Sequence, residues 1–295
     1  MRRLLIIGCG DIGMRLVPLV RDRYRVYALS RTPENFPTLR AMGVIPIRGD
    51  LDRLETLNVL HGLAHDIVHL APPPQSGLRD TRTAHLIASV GRSATLPNQL
   101  VYISTSGVYG DCAGDVVTET RPARPGTDRA RRRADAERRL KAWGSRSGVR
   151  VSILRVPGIY ASDRLPIARI ERGTPAIRAE EDSYVNHVHA DDLARMVVAA
   201  LFRAHHNRSY NAVDDEPQKM GDYFDLVADR CGLPRPPRIP RSEADAVLPA
   251  MLRSFMSESR RLSNARIKRE LRLRLQYPTV RQGVNPGAAV AGSAM

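Results

Sequence analysis

Short, continuous apolar runs alternate with stretches of helical spacing across the first half of the chain. The runs lie at residues 3–7, 24–29, 44–47, 66–71, 100–105 and 149–154. Between them, apolar positions recur at helical spacing in residues 14–20, in a stretch containing Leu54 and Leu60, around 77–92 and over roughly 127–146. Runs without polar alternation suit strands covered on both faces, and strand–helix alternation predicts an α/β fold with a doubly wound parallel sheet of Rossmann type. Past Arg155 the texture changes, with longer loops rich in Pro and Arg such as Pro234-Arg235-Pro236-Pro237. Residues 1–154 therefore read as a main domain, and 155–186 with 214–283 as a smaller substrate lobe. The capped helical stretch after Asp191 returns residues 187–213 to the main sheet, and the Gly/Ala-rich residues 284–295 read as a disordered tail.

The first strand runs straight into Gly8-Cys9-Gly10-Asp11-Ile12-Gly13, which has G-x-G-x-x-G spacing between a strand and a helix. Gly8 is expected to make the tight turn, Gly10 to let a pyrophosphate approach the backbone, and Gly13 to let the helix lie close to the strand. Asp11 and Ile12 open the helix whose free N–H groups would hold the diphosphate, so both count as cofactor contacts. This makes residues 1–154 a dinucleotide-binding domain. An NAD site usually has an acid at the end of the second strand, but here Ser30 and Arg31 stand there, with no acid before Glu34. An arginine fork and a hydroxyl suit a 2′-phosphate, so NADP(H) is expected in preference to NAD(H).

Composition narrows the remaining classes. No apolar run approaches the ~20 residues a membrane helix needs. Met1-Arg2-Arg3 imitates a signal peptide, but Gly8, Gly10 and Asp11 interrupt the apolar run that follows. Cys9, Cys112 and Cys231 are far apart and in no ligand spacing, as expected of reduced thiols in a cytoplasmic protein, and no metal site is expected. The net charge of +15 comes from two stretches, 121–155 and 253–281. They lack interleaved aromatics, and 43 of the 46 basic residues are Arg, so they read as solvated faces rather than a surface specific for nucleic acid.

Taken in order, several segments carry a resemblance. They are Gly8-x-Gly10-x-x-Gly13, Gly49-Asp50-Leu51, Leu70-Ala71-Pro72, Ser104-Thr105-Ser106-Gly107-Val108-Tyr109-Gly110, Arg155-Val156-Pro157-Gly158-Ile159-Tyr160 and Asn186-His187-Val188-His189-Ala190-Asp191-Asp192. The series resembles the extended branch of the short-chain dehydrogenase/reductase superfamily, of epimerase/dehydratase type. The segment 258–266 is similar to an atypical, uncharacterised bacterial subgroup of it. The resemblance implies that Asp50 and Leu51 flank the adenine, while Leu70, Ala71 and Pro72 lie along the ribose and phosphates. It puts Pro157 and Gly158 at the nicotinamide end, and Thr105 where the family keeps the Ser/Thr that bonds the reacting oxygen.

The chain departs from that pattern at one place. With Glu137 as the helix's marker acid, Arg129 stands at the family's catalytic Tyr position and Arg133 at its Lys position. Helical spacing puts both on the face that carries Ala136, Leu140 and Trp143. Arg133 remains a candidate donor to the cofactor, but an arginine stays charged and carries no proton for general acid–base work. Tyr109, Tyr160 and Tyr184 are the candidate phenols, and Tyr109 joins Thr105 as the catalytic candidate. His187 and His189 are expected around the helix cap at Asp191. The sequence thus predicts an NADP(H)-binding epimerase/dehydratase- or reductase-like protein, a monomer or homodimer. Its substrate is expected to be small and polar, of nucleotide-sugar or anionic type. The alternative is a non-catalytic NADP(H)-binding redox sensor.

Overall fold

The computed structural model describes residues 1–249, 253 and 256–284. Seven strands form the central sheet: β1 (Arg2–Ile7), β2 (Tyr24–Ser30), β3 (Ile45–Arg48), β4 (Asp66–His69), β5 (Gln99–Thr105), β6 (Arg150–Val156) and β7 (Arg208–Asn211). Their order is β7-β6-β5-β4-β1-β2-β3, and every neighbouring pair is parallel. The order reverses between β1 and β4, and in open parallel sheets a ligand crevice opens beyond the strand ends at such a point.

The continuous apolar runs exist because the sheet is covered on both sides. In β1, Leu4 and Ile6 face one core while Leu5 and Ile7 face the other. The first core is closed by α1 (Asp11–Val20) and a helix at Ala190–Arg203, through Leu16, Val17, Leu193 and Val197. The second is closed by α2 (Thr81–Val90) and α3 (Asp128–Ser147), through Leu86, Val90, Leu140 and Trp143. The Thr127 hydroxyl caps α3 by accepting from Ala130 N at 3.3 Å, and Gly148, with φ +74°, ends it.

Three expectations need correction. The stretch around Leu54 and Leu60 is a 3-10 run, Leu54–Leu60, rather than an α-helix. The Thr56 hydroxyl bonds both the N–H and the carbonyl of Asp50, which winds the segment tightly, and Gly62 at φ +64° follows it. Residues 265–275 do not belong to the smaller lobe's core. Ile267, Leu271 and Leu273 pack with Leu193 and Tyr210 on the main sheet, where the i, i+4 pair of the short helix Ala265–Leu271 covers β7. Val284 is 2% exposed inside the lobe's apolar cluster, so the expected tail does not start there; residues 285–295 lie outside the described residues.

The smaller lobe is built around Tyr160, Ile170, Ile177, Phe224, Val227 and Val280. Short strand pairs carry it, among them Gly158–Tyr160 beside His187–His189. That pair continues from β6 and fixes the lobe at the carboxyl end of the sheet. Among the described residues, no helix is long and apolar enough to cross a membrane.

Candidate functional site

The glycine turn between β1 and α1 opens into a cleft of about 520 Å³. A side chain at Gly8 would meet Ala71 Cα and N at 2.7 Å, and Gly8 has φ +84°, so the turn needs glycine there. A side chain at Gly13 would meet Cys9 Sγ at 3.0 Å and Leu70 Cδ1 at 3.4 Å, consistent with close helix–strand packing. Gly10 is different: nothing lies within 4 Å of the position its Cβ would take. Its free face looks into the cleft, where a bulky anion can reach the start of α1. Burial pushes the Cys9 thiol up to about 11, so it stays protonated beside the turn.

Ser30, Arg31, Asp50, Leu51, Leu70, Ala71 and Pro72 line the same cleft. The Ser30 hydroxyl is engaged locally, donating to Thr32 O at 3.2 Å and accepting from Thr32 N at 3.3 Å, while Arg31 is exposed. Asp50 accepts from Asp52 N at 3.0 Å. Sequence reasoning missed Arg82. It grips Asp52 through two donors, at 2.7 and 2.6 Å, and donates to Pro72 O at 3.1 Å. Its two anchors lie 30 and 10 residues away, so no local signal marks it.

A second cleft of about 1000 Å³ continues from the first, sharing Pro72, Ile103, Arg133, Ile159 and Arg164. Thr105, at the end of β5, lines it, and its Oγ1 accepts from Gly107 N at 3.2 Å. That bond leaves the hydroxyl proton free to donate to a bound oxygen. Pro157 and Gly158 line this second cleft rather than the first. A side chain on Gly158 would come within 3.1 Å of His187, so glycine lets that ring lie against the chain.

The helical spacing in α3 brings Arg129 and Arg133 to the cleft wall together. Arg133 donates to Ile103 O at 2.8 Å, to Tyr102 Oη at 3.0 Å and to Ala71 O at 3.4 Å, which fixes its guanidinium across the ends of β4 and β5. Burial pushes the Arg129 guanidinium down from its ordinary value; Glu258 opposes this, and Arg133, Arg132 and Arg260 add to it. In all, Arg129, Arg132, Arg133, Arg164 and Arg260 line the second cleft with Glu258 as the one carboxylate among the described residues.

Tyr109 is withdrawn as a catalytic candidate. It is 1% exposed and lines neither cleft, because the 3-10 turn Ser106–Tyr109 points its phenol inward to donate to Asn211 Oδ1 at 2.7 Å. Tyr160 is also buried, donating to Thr279 O at 3.1 Å. Tyr184 is the candidate phenol that lines the cleft, with Lys219 Nζ 4.3 Å from its ring centre. The two histidines part company: His189 Nδ1 accepts from Asp191 N at 3.2 Å and caps its helix, whereas His187 lines the cleft. Among the described residues no group of three metal-ligating side chains is assembled. His65 accepts from Arg3 N, and His69 pairs with Thr83 at 3.0 Å.

Burial holds His69 and His187 neutral, pushing them down to about 3 and about 4. The unfolded chain takes up a proton on each near pH ~6.5 while the folded protein does not. Stability is therefore highest above that pH and falls as the pH drops towards 4, where His187 begins to protonate in the folded protein. The expected slope is about 1.4 kcal/mol per pH unit for each histidine. Urea unfolding between about pH 7 and pH 5 would show it, and His187→Gln should flatten the slope. An unchanged slope in that variant would remove His187 from the account.

The family described as NAD dependent epimerase/dehydratase matches residues 4–212. No curated protein matches the chain. Among solved structures, a functionally unknown conserved protein from Silicibacter pomeroyi is 29% identical, with a TM-score of 0.82 and 100% of both chains covered. The dTDP-glucose 4,6-dehydratase of Bacillus anthracis, solved with NAD, is 15% identical, with a TM-score of 0.80 over 100% of this chain and 98% of that one. The UDP-glucose 4-epimerase of Thermotoga maritima, solved with UDP-glucose, is 18% identical, with a TM-score of 0.76 over 96% of each chain. The sheet order, the glycine turn at its switch point and a family match over most of the chain agree: this protein belongs to the NAD-dependent epimerase/dehydratase family.

Proposed function

We propose that the protein is an NADP(H)-dependent reductase- or epimerase/dehydratase-like enzyme acting on a small, anionic, polar substrate. The observation that carries this reading is the continuity of the two clefts, which joins the glycine turn to Thr105 and the arginine cluster. The open face of Gly10 and the start of α1 fit a dinucleotide diphosphate, with Leu70, Ala71 and Pro72 along it. Asp50 and Leu51 take the adenine, and Arg31 takes the 2′-phosphate. Pro157 and Gly158 take the nicotinamide end. The bound dinucleotide supplies or accepts hydride.

The protein's own side chains do the rest. Thr105 donates to the substrate's reacting oxygen, and Arg129 with Arg260 offers charged donors to its anionic group. Five guanidiniums against one carboxylate attract an anion and disfavour a neutral ligand of the same size. Arg133 holds its place by three bonds and lends charge, since it carries no proton to the substrate. Tyr184 is the phenol positioned to exchange one. The similarity in fold to a nucleotide-sugar epimerase supports a polar substrate of that size.

Fluorescence titration tests the cofactor assignment. NADPH is expected to bind about tenfold more tightly than NADH, and Arg31→Ala to erase most of the difference. A preference for NADH, or an unchanged NADPH affinity in Arg31→Ala, would sink the assignment of Arg31 to the 2′-phosphate. Turnover is then read against aldehydes, ketones and sugar nucleotides, with and without a carboxylate or phosphate. Tight binding with no turnover on any of them would make the protein a redox sensor instead, a role favoured by reading Arg129 and Arg133 at the family's Tyr and Lys positions.

A further inference from the structure

Helix α1 begins with a carboxylate at the place where an anion is to be held. Asp11 is its first residue, directly after Gly10, and a negative side chain there competes with a diphosphate for the positive helix end. Two guanidiniums hold it. Arg15 donates from Nε at 2.7 Å and also reaches Asp163 at 2.9 Å and Asp191 at 2.7 Å. Arg164 supplies the second ion pair to Asp11.

The two arginines are not equivalent. Arg15 lies within α1 and is shared among three carboxylates. Arg164 comes from the other side of the cleft, from the turn Ser162–Arg164 beyond β6, and its side chain is 37% exposed. Among the described residues lining the dinucleotide cleft, Ile159 and Arg164 alone come from beyond β6, and Arg164 also lines the second cleft. It therefore lies opposite the glycine turn, where the two clefts meet.

We propose that Arg164 is the smaller lobe's ligand for the dinucleotide diphosphate, exchanging its ion pair with Asp11 for phosphate oxygens when the dinucleotide binds. The inference rests on the dinucleotide reading given above. The exchange is short, because Asp11 adjoins the glycine whose free face opens to the diphosphate. A planar guanidinium matches two phosphate oxygens as well as it matches one carboxylate. Arg15 keeps Asp11 paired after Arg164 has moved, so no bare carboxylate is left facing the phosphates. Binding would thereby draw the Ser162–Arg164 turn onto the cofactor and close the lobe over the middle of the trench.

Titrations of NADPH, ADP-ribose and 2′-AMP on wild type, Arg164→Ala, Arg164→Lys and Asp11→Asn separate the alternatives. Arg164→Ala should weaken NADPH and ADP-ribose about tenfold while leaving 2′-AMP within about twofold, and Arg164→Lys should recover part of the loss. Asp11→Asn should tighten NADPH several-fold, because it removes the competing charge and releases Arg164. A purely structural bridge predicts instead that both single variants weaken binding together, and that result would overturn the proposal. So would an Arg164→Ala protein, folded by its melting curve, that binds the diphosphates as wild type does. Wild-type protein that binds none of the three ligands would overturn the dinucleotide reading and this inference with it.

Discussion

Gly10→Val protein is expected to melt close to the wild-type temperature and to bind NADPH at least about 100-fold more weakly. The two halves of that result have separate causes. Gly10 has φ −87° and ψ −152°, extended and at negative φ, so the new side chain meets none of the strain of a left-handed position. No atom beyond its chain neighbours lies within 4 Å of the position its Cβ would take, so the new branch point starts in open space. The added methyls extend from that open position into the space proposed for the diphosphate. Gly8→Val is the contrasting case. Its φ of +84° and the Ala71 backbone at 2.7 Å make the substitution destabilising by about 3 kcal/mol, before any ligand is considered. Thermal melts and NADPH titrations on both variants give the comparison. If Gly10→Val binds NADPH normally, the diphosphate does not lie on that face of the turn, and the cofactor placement fails.

What the sequence made legible was local. Apolar runs of four to six residues marked six of the seven sheet strands, since parallel strands covered on both faces have no polar alternation to hide them; β7, Arg208-Ser209-Tyr210-Asn211, has no such run. The glycine spacing marked the turn, and helical spacing placed Arg129 and Arg133 on the side of α3 that meets the cleft. Features depending on partners far along the chain were not legible. Tyr109 follows Thr105 by four residues and looks well placed, yet its phenol is taken by Asn211, which is 102 residues away. Arg164 and Arg82 sit in loops or helix starts with no motif, and their positions depend on Asp11 and Asp52 across the fold. His187 and His189 share a strand face in sequence, but Tyr277 stacks on His189 at 3.8 Å while Tyr223 covers His187 at 4.1 Å. Only the packed lobe decides which ring reaches the cleft.

Glu137 shows how a residue singled out by the family resemblance can carry the fold rather than the site, and its removal is expected to have the largest effect on stability. Its carboxylate receives Arg155 at 2.8 Å from Nη2 and at 3.2 Å from Nε, and both side chains are 6% exposed. The Arg155 guanidinium also lies 4.7 Å from the centre of the Tyr109 ring. Tyr109 donates to Asn211, whose side-chain amide donates to Val117 O at 3.2 Å and Ser263 O at 3.1 Å. The pair therefore ties α3 and β6 to β7 and to the end of the short strand Arg261–Leu262, all behind the cleft wall. Glu137→Ala leaves a buried guanidinium with no counter-charge and should cost about 3–5 kcal/mol, read as a lower denaturant midpoint with an unchanged slope. Glu137→Leu combined with Arg155→Met removes both charges and should recover most of that loss, because the penalty comes from the orphaned ion rather than from the pair's own attraction. Neither residue lines a cleft, so the double variant should bind NADPH as wild type does. A loss below about 1 kcal/mol in Glu137→Ala would mean that water reaches Arg155 and that the pair is not the buried tie described here.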